Sequence, residues 1–579
     1  MAGLMALAAL GAHGDTLAAT LLPKFPAGRA IESGSTISLT KGEYHFYAGE
    51  APKLKFRVSN HDQPAVRPVL LPFVGVTNLT VNGNGSKLVF HGKATGVLIQ
   101  DSKNVTLRNF TIGWERPFIH EGTVVGYDGN RTILRIDREK FPYRFTDASG
   151  RPCDPAAYAD GTNGPYLAFT GEDWQETLTR CNGIVFRGDT HELLEGVSHH
   201  RFSGRVRPLA NGDVMLPDVD LRKVGIGARP GDVFVMRTGA RPHPAVCVNR
   251  ATDTLLEDVV IQSAFGMGLL AQCSENVTFR GSGRAEERSA GVFPPEGRVC
   301  TSTVDATHFS NCRGRILVEN CWFQGMHDDA LNVHATSYAI MAISGRTVHC
   351  RFMHARAFGY ESFRAGDRAR FIRSLTMEDG PDVVVNGVRW LDECNFVLTL
   401  AEDVPAGYVT GDAVENASAQ PEVVFRANHA GRNWANGILL TTRGRVTVEG
   451  NVFDRIAGGV VKFQGDARSW YESGACRDVT VTNNVFRNCL LGSFSAAVID
   501  ACPVVKDLAA QKACYHRNIR IVGNVFETHD VPMLAALSVS NLVWRANKVI
   551  RNDNYRSWRR PPVSIRHCEA VDIDDGLKQ

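Results

Sequence analysis

Three aspartates, Asp305, Asp328 and Asp329, are the residues of this 579-residue chain whose types and spacing point most clearly to chemistry. Asp305 is followed 23 residues later by the Asp328–Asp329 pair. In a coiled β-structure with a repeat of about that length, neighbouring turns stack ~4.8 Å apart and the three carboxylates share one groove. Crowded carboxylates repel each other, so at least one should keep its proton near neutral pH. A protonated and an ionised carboxyl group together can hydrolyse a glycosidic bond.

Two other interpretations of the same acids are open. Asp328 and Asp329 could instead cap a turn beside Asn332 by accepting hydrogen bonds from backbone amides. The three aspartates and nearby histidines could also bind a metal, although their spacing matches no known ligand motif. Consecutive strand residues point to opposite faces, so both members of the pair reach one groove only at a bend. Catalysis therefore predicts a bend at Asp328–Asp329, and inversion predicts acid and base carboxyl groups ~6.5–9.5 Å apart.

Polar and aromatic residues near the acids or on interrupting loops are candidates for binding a sugar. Imidazoles beside carboxylates can donate to substrate hydroxyls or orient an acid, and a loop tryptophan can stack on a pyranose ring. Each histidine could equally be structural, and each tryptophan could be packed between elements. The substrate-binding candidates are His308, His327, His334, Asn332, Trp434, Asn436, Trp470, Glu472 and, more weakly, Glu361.

A short recurring phrase indicates the fold that would position these residues. It is a strand of three to five residues with alternating apolar side chains, ended by Asn or Gly and often followed by Phe. Nine copies occur, beginning at residues 78, 104, 256, 276, 315, 446, 479, 519 and 541. Strands this short bury their inner face only when stacked as coils. Asn at a corner tolerates left-handed geometry and can form an amide ladder. We therefore predict an all-β, right-handed parallel β-helix rather than a β-sandwich.

Two stretches lack the phrase and show alternating strands with hairpin signals instead. We interpret each as a small antiparallel β-barrel inserted between coils. The predicted organisation is a signal-like leader (1–22), N-terminal coils (23–115), a first barrel (116–245), catalytic coils (246–337), a second barrel (338–422) and C-terminal coils (423–579).

Composition is that of a globular protein, with 44% hydrophobic and 22% charged residues and a net charge of +3. This near-neutral balance gives no argument for nucleic acid, and no apolar run reaches the ~18 residues of a membrane span. The apolar N-terminus resembles a secretory signal without its basic leading region, so we expect a secreted or periplasmic protein. The 14 cysteines show no zinc spacing and are either buried thiols or disulfides formed after export.

The Asn-ended coils, the two inserts and the Asp305 … His327-Asp328-Asp329 arrangement resemble glycoside hydrolase family 110, from about residue 25 onward. That family contains exo-acting α-1,3-galactosidases, including enzymes that remove the terminal galactose of the blood-group B antigen. The resemblance implies inversion without a metal or other cofactor. It also implies that Asp328 is the general acid, while Asp305 and Asp329 position and deprotonate water. The expected partner is a glycan with terminal α-galactose; a homodimer is also compatible with the sequence.

The polygalacturonases are the main alternative, because they are inverting β-helix hydrolases with similarly spaced aspartates. Their Gly-His-Gly and Arg-x-Lys motifs are not at the expected place here, and the basic cluster suited to pectin is missing. A pectate-lyase-like enzyme would need calcium-binding carboxylates and an arginine base, which nothing singles out. A non-catalytic carbohydrate-binding β-helix would have regular coils without the acidic cluster.

Overall fold

The structure is a computed structural model and describes residues 34–158, 164–196, 200–492, 494–574 and 577. Within these ranges the regular elements are strands and four short 3-10 helices, Ala48–Glu50, Pro155–Tyr158, Leu221–Lys223 and Ala285–Glu287. The all-β fold class is therefore confirmed. The predicted leader, residues 1–22, lies outside the described residues.

The coils form a parallel β-helix, as predicted, with three faces that we number in the order in which the chain crosses them. Face 1 comprises Thr36–Ser38, Glu275–Arg280, Arg313–Glu319, Glu422–Arg426, Arg445–Glu449, Asp478–Thr482, His516–Val522, Val539–Arg545 and Glu569–Ile573. Face 2 comprises Glu43–Tyr47, Gly291–Val292, Trp322–Gln324, His429–Gly431, Val452–Asp454, Val485–Arg487, Val525–Thr528 and Lys548–Arg551. Three longer strands, Thr77–His91, Lys103–Trp114 and Thr252–Ile261, contribute to both of these faces.

Face 3 carries the residues of the candidate site. Its strands are Val66–Val74, Thr95–Gln100, Val246–Asn249, Leu269–Gln272, Thr307–Ser310, the first part of Leu331–Ser344, Ile438–Thr441, Val461–Phe463, Ile499–Ala501, Leu534–Leu537 and Val563–Arg566. Lys53–Lys55 pairs antiparallel with the first strand of this face, and Glu472–Ser473 pairs antiparallel with Ala335–Thr336.

The recurrent asparagines have two separate roles at the corners. A buried amide ladder crosses five coils, with side-chain hydrogen bonds of 2.9–3.2 Å between successive residues. Its members are Asn428, Asn451, Asn484, Asn524 and Asn547. A different set adopts positive φ, for example Asn104 (53°) and Asn276 (55°). Both predicted uses of Asn thus occur, but on different residues of the phrase.

The core inside the coils is built from the apolar residues of each phrase. The phenylalanine that follows the phrase stacks on its counterpart in the next coil, with ring centroids 5.3 Å apart for Phe453–Phe486 and 4.6 Å for Phe486–Phe526. All fourteen cysteines are free, and Cys300, Cys312 and Cys321 are buried among the apolar side chains. The interpretation as free thiols is therefore the correct one.

Both inserts are antiparallel, as predicted, but among the described residues only the second closes into a barrel, whereas the first consists of two open sheets. The first contains a seven-stranded sheet of His120–Asp128, Arg131–Arg135, Cys181–Phe186, His200–Phe202, Arg207–Pro208, Val214–Leu216 and Val233–Arg237, and a three-stranded sheet of Tyr143–Thr146, Tyr166–Thr170 and Gln175–Thr177. The second is a closed six-stranded barrel of Leu331–Ser344, Thr347–Arg351, Arg368–Ile372, Asp379–Trp390, Asn395–Leu400 and Ala413–Asn416. No helix in the described ranges is long and apolar enough to cross a membrane.

Candidate active site

The three aspartates lie at the corner between faces 2 and 3, on two adjacent coils. Asp305 immediately precedes the strand Thr307–Ser310, and Asp328–Asp329 precede Leu331–Ser344. The register pairs Thr307 with Leu331, and the Ala306 amide donates to the Asp329 carbonyl at 2.8 Å. Asp305 is therefore aligned with Asp329, one residue further along the chain than the 23-residue spacing suggested.

The Asp328–Asp329 pair occupies a bend after Gly325, whose φ of 73° lets the chain leave face 2. One oxygen from each of the three carboxylates lies within 4.8 Å of the others. These nearest oxygens are closer together than the ~6.5–9.5 Å that usually separates the acid and base carboxyl groups of inverting enzymes. One water at ~2.8 Å from each of two such oxygens can still bridge them.

Burial and crowding disfavour the charged forms of these acids. Burial, followed by the neighbouring carboxylate, raises the pKa of Asp328 to about 7, and burial also raises the pKa of Asp305 to about 7. The pKa of Asp329 lies well above its ordinary value, first because of burial and then because of Asp328 and Asp305. The cluster therefore holds protons near neutral pH, which a general acid needs.

The three carboxylates have different surroundings. Asp328 keeps 28% of its side chain exposed and has the Arg241 guanidinium 3.8 Å away. Asp329 is buried and accepts hydrogen bonds from the Asn436 backbone at 2.7 Å and side-chain amide at 3.0 Å. Asp305 is buried against His308, with the Nδ1 atom 2.6 Å from Oδ2. Asp328 is thus the acid most accessible to a ligand.

A pocket of about 410 Å³ opens over the aspartates; we call it the acid pocket. Its lining residues are Asn60, Arg237, Arg241, Asp305, Asp328, Asp329, Asn332, Trp434, Asn436, Leu439, Lys462, Gln464, Asp466, Trp470 and Glu472. The size lies in the ~300–1,000 Å³ range of small-molecule sites. Its polar groups and two tryptophans can hold hydroxyl groups and stack on the apolar face of a sugar ring.

The sequence candidates divide into those that line the pocket and those that do not. Five line it: Asn332, Trp434, Asn436, Trp470 and Glu472. His308 and His334 lie behind the carboxylates and contact each other through Nε2 at 2.8 Å. His327 is buried and accepts a hydrogen bond from Nε of Arg237 at 2.6 Å. These three histidines therefore support the pocket from outside its lining.

Glu361 does not belong to the acid pocket. Glu361 is exposed, whereas the preceding Tyr360 is buried with its hydroxyl oxygen 3.1 Å from Thr336 Oγ1. Glu361 instead borders separate clefts beside Arg250. Its prediction as a substrate-binding residue of this pocket is not supported by its position.

Sequence patterns missed several pocket residues. Arg237 ends the last strand of the first insert, and Arg241 follows it on the return to the coils. Lys462 occupies the same register column of face 3 as Asn332 and Leu439. Lys462 could therefore have been predicted from the coil spacing, since Asn332 was already a candidate. Asn60, Arg237 and Arg241 are distant in sequence, and no spacing rule connects them with the acids.

The three carboxylates are also the donor set that a bound cation would use. Three clustered carboxylates are able to hold a cation geometrically, but one oxygen of Asp329 already accepts two amide hydrogen bonds and one of Asp305 faces an imidazole. Catalysis without a metal stays a prediction.

Comparison with known proteins places these features in a family. A model described as GLAA-B beta-barrel domain II matches residues 347–414, inside the six-stranded barrel. Alpha-1,3-galactosidase B of Akkermansia muciniphila is 39% identical over 547 residues, which cover 94% of this chain and 65% of that protein. The chain thus spans about two thirds of that relative's length.

Other relatives carrying the same name are covered more fully. Those of Parabacteroides distasonis and Bacteroides thetaiotaomicron are 35% and 31% identical, with 90% and 94% of this chain aligned to 82% and 85% of theirs. Among solved structures, the Yersinia enterocolitica family 28 exopolygalacturonase aligns with a TM-score of 0.34 at 11% identity over 94% of this chain and 74% of that chain. The extent of the sequence matches shows that this chain belongs to the α-1,3-galactosidase family, glycoside hydrolase family 110.

Proposed function

We propose that this protein is an exo-acting glycosidase that hydrolyses terminal α-1,3-linked galactose from glycans by single displacement with inversion. The observation that carries the proposal is the set of three carboxylates on two adjacent coils, at the base of a pocket sized for a small sugar. The linkage and the sugar in this proposal are taken from the name alpha-1,3-galactosidase B, which the relatives of Bacteroides thetaiotaomicron and Parabacteroides distasonis carry.

The surroundings of the acids support distinct roles. Asp328 is the most exposed carboxyl group of the three and has a raised pKa, so it is suited to protonate the glycosidic oxygen. Asp305 and Asp329 lie side by side on the neighbouring positions and are suited to hold the attacking water. The water oxygen bonds to the anomeric carbon, the bond to the glycosidic oxygen breaks, and that oxygen takes the proton of Asp328.

The walls of the pocket favour removal of a terminal residue over cleavage within a chain. Arg241, at the end of the first insert, lies with its guanidinium 5.7 Å from the ring of Trp470. Trp470 in turn lies 4.4 Å from His354, a residue of the second insert. The loop that carries Trp470 therefore lies close to residues of both inserts at the acid pocket. A pocket closed on one side can bind the terminal sugar of a glycan but not the middle of a long polysaccharide.

The anomer released first is the deciding measurement, because the short distance between the carboxylates does not by itself distinguish inversion from retention. Galα1-3Gal and the fucosylated blood-group B trisaccharide are incubated with the protein and followed by proton NMR. We expect β-galactose to appear before mutarotation. Initial release of α-galactose would refute inversion, and activity on polygalacturonate alone would refute the galactosidase proposal.

Asp328→Asn tests the acid. We expect turnover of unactivated substrates to fall by about 10²–10⁴-fold, the usual contribution of a positioned general acid. The matched control is Asp478→Asn, since Asp478 lies on the outside of the coil in ion pairs with Arg445 and Arg520. An Asp328→Asn variant with the activity of that control would show that the acid is another residue.

Export and a homodimer remain proposals. Sedimentation of the full chain measures its mass in solution, and N-terminal sequencing of the protein recovered from its host locates any processed leader.

A further inference from the structure

Behind the acid pocket, two buried histidines extend the hydrogen-bond network of Asp305 away from the substrate side. His308 Nδ1 lies 2.6 Å from Asp305 Oδ2, and His308 Nε2 lies 2.8 Å from His334 Nε2. His334 Nδ1 lies 2.8 Å from the carbonyl oxygen of Ala335. Both rings are fully buried, with exposures of 0% and 2%. The chain of hydrogen bonds from Asp305 therefore ends on the Ala335 carbonyl oxygen, which can only accept a hydrogen bond.

The carbonyl of Ala335 fixes the proton positions on His334 and on Nε2 of His308. Because it cannot donate, His334 carries its proton on Nδ1, and its Nε2 in the neutral ring is an acceptor. His308 must then donate from Nε2, which leaves its own Nδ1 without a proton in the neutral ring. The atom facing that bare Nδ1 is Asp305 Oδ2, and only a protonated carboxyl group can donate to it. An ionised Asp305 would require a charged His308 imidazolium instead.

Burial decides between these two arrangements. Both have the same number of protons, but the second separates a positive and a negative charge at positions without solvent. Burial also holds the pKa of His308 and of His334 at about 3, while the pKa of Asp305 is raised to about 7. The neutral arrangement is the one that these surroundings stabilise.

We propose that His308 and His334 are positioning residues that hold Asp305 in its protonated form, so that Asp329 alone receives the proton of the attacking water. This assignment rests on the proposed function. It gives different roles to Asp305 and Asp329, the two acids beside the attacking water. The carboxyl group of Asp305 holds the water. Its Oδ1 atom, the oxygen that does not face His308, accepts a hydrogen bond from the Asp329 backbone N–H at 3.2 Å. Asp329 is the carboxylate of this arrangement. The two amide donors of Asn436 favour its ionised form, and protonation of Asp305 and Asp328 removes the two neighbouring charges that, after burial, raise its pKa.

The proton balance of one turnover follows from this division. Water gives a proton to Asp329 as its oxygen bonds to the anomeric carbon, and Asp328 gives its proton to the leaving oxygen. The Asp305–His308–His334 chain gains and loses nothing. Afterwards Asp328 is ionised and Asp329 protonated, and exchange with solvent restores the starting state.

Other charged groups around the chain influence its titration. The Arg241 cation acts on Asp305 and on His308, and His354 of the second insert acts on His334. Glu472 lies 3.7 Å from His334 Nε2 and accepts a hydrogen bond from Asn60. The titratable and charged groups facing the chain are Asp328, Asp329, Arg241, Glu472, His61 and His354.

Two amide substitutions separate the proposal from an ionised Asp305. In Asp305→Asn the side-chain N–H donates to His308 Nδ1 and the oxygen still accepts the Asp329 N–H, so the variant reproduces the protonated acid. We expect its loss of kcat/KM to be at least about tenfold smaller than the loss in Asp329→Asn, which should be about 10²–10⁴-fold. Equal losses in the two variants would overturn the proposal.

The pH profile tests the histidines in a way that mere loss of stability does not mimic. His334→Leu removes the acceptor, so His308 can move its proton to Nδ1 and Asp305 can ionise. The added negative charge raises the pKa of its carboxyl neighbours, and we expect both limbs of the kcat/KM profile to shift to higher pH. His334→Gln keeps an acceptor and should restore the original profile. His516→Gln serves as the control for a buried histidine in the distant C-terminal coils.

Neutron diffraction of the parent protein gives an answer that does not depend on activity. We expect deuterium on His334 Nδ1, on His308 Nε2 and on Asp305 Oδ2. Deuterium on His308 Nδ1 would refute the inference even in an active galactosidase. Failure of the proposed function would appear separately, as absence of galactose release by the parent protein.

Discussion

The three aspartates are equivalent in sequence but not in surroundings. Asp328 faces the pocket beside a guanidinium, Asp329 is held by amide donors, and Asp305 is backed by an imidazole. Burial raises the pKa of all three carboxyl groups and so does not distinguish them. The different contacts therefore determine which of the three holds a proton. The protonation of each acid therefore depends on the residues that contact its carboxyl group.

A prediction at the residue scale concerns Trp470, a residue that is 43% exposed and lines the acid pocket. Trp470→Ala should raise KM about 2–10-fold with little change in kcat, since aromatic contacts contribute ~0.5–1.5 kcal/mol. Steady-state kinetics on Galα1-3Gal measures both constants. Trp390, packed against Phe396 inside the second insert, is the control position. If Trp390→Ala raises KM as much, Trp470 has no specific role.

At the scale of elements, the corner between faces 2 and 3 brings the acids together, and the amide ladder fixes the stacking of later coils. Each ladder residue satisfies buried polar groups of its neighbours on two coils. Asn484 Nδ2, for example, donates to Asn524 Oδ1 and to the carbonyl of Val448, each at 2.9 Å. Removing one such side chain leaves buried partners without hydrogen bonds.

We accordingly expect Asn484→Ala to lower the free energy of unfolding by about 1–3 kcal/mol, the cost of leaving buried polar groups unsatisfied. Urea denaturation monitored by circular dichroism measures the loss, and kcat should be unchanged because the pocket is built on other coils. Thr480→Ala, a half-buried position on the preceding strand, provides the comparison. An equal effect at both positions would argue against a special role for the ladder.

At the scale of the whole molecule, the buried acids make stability depend on pH. Burial raises the pKa of Glu472 to about 8, so the folded protein binds more protons than the unfolded chain between about pH 4.5 and 8. Stability contributed by such a group is present at low pH and is lost as pH rises toward 8. The site therefore opposes stability under alkaline conditions.

Glu472→Gln should therefore flatten the decline in Tm between pH 5 and pH 8. Differential scanning calorimetry at several pH values gives the slope for the parent and the variant. Glu527→Gln, at a coil surface position paired with Arg487, is the control and should leave the slope unchanged. A parent protein whose Tm rises over this interval would show that other groups dominate the linkage.

Much of the architecture was predictable because each coil repeats the same local pattern. The Asn-ended phrase specifies strand, corner and core residue within a few positions, so the β-helix follows from short-range rules, whereas the choice between free thiols and disulfides did not follow from the sequence. The bend at Asp328–Asp329 was also predictable, from the requirement that adjacent side chains reach one groove. Glu361 borders other clefts, because it lies on a loop of the second insert whose position relative to the acids has no local sequence signature.

By itself, the sequence determined the coil, the two antiparallel inserts, the crowded aspartates and the family to which the chain belongs. Only the tertiary structure decided that Asp305 is aligned with Asp329, that Arg237 and Arg241 come from the first insert, and that His308 and His334 stand behind the acids. The physical reason is that repeats encode contacts between neighbouring coils. Proton positions in a buried cluster depend instead on groups brought together from distant parts of the chain.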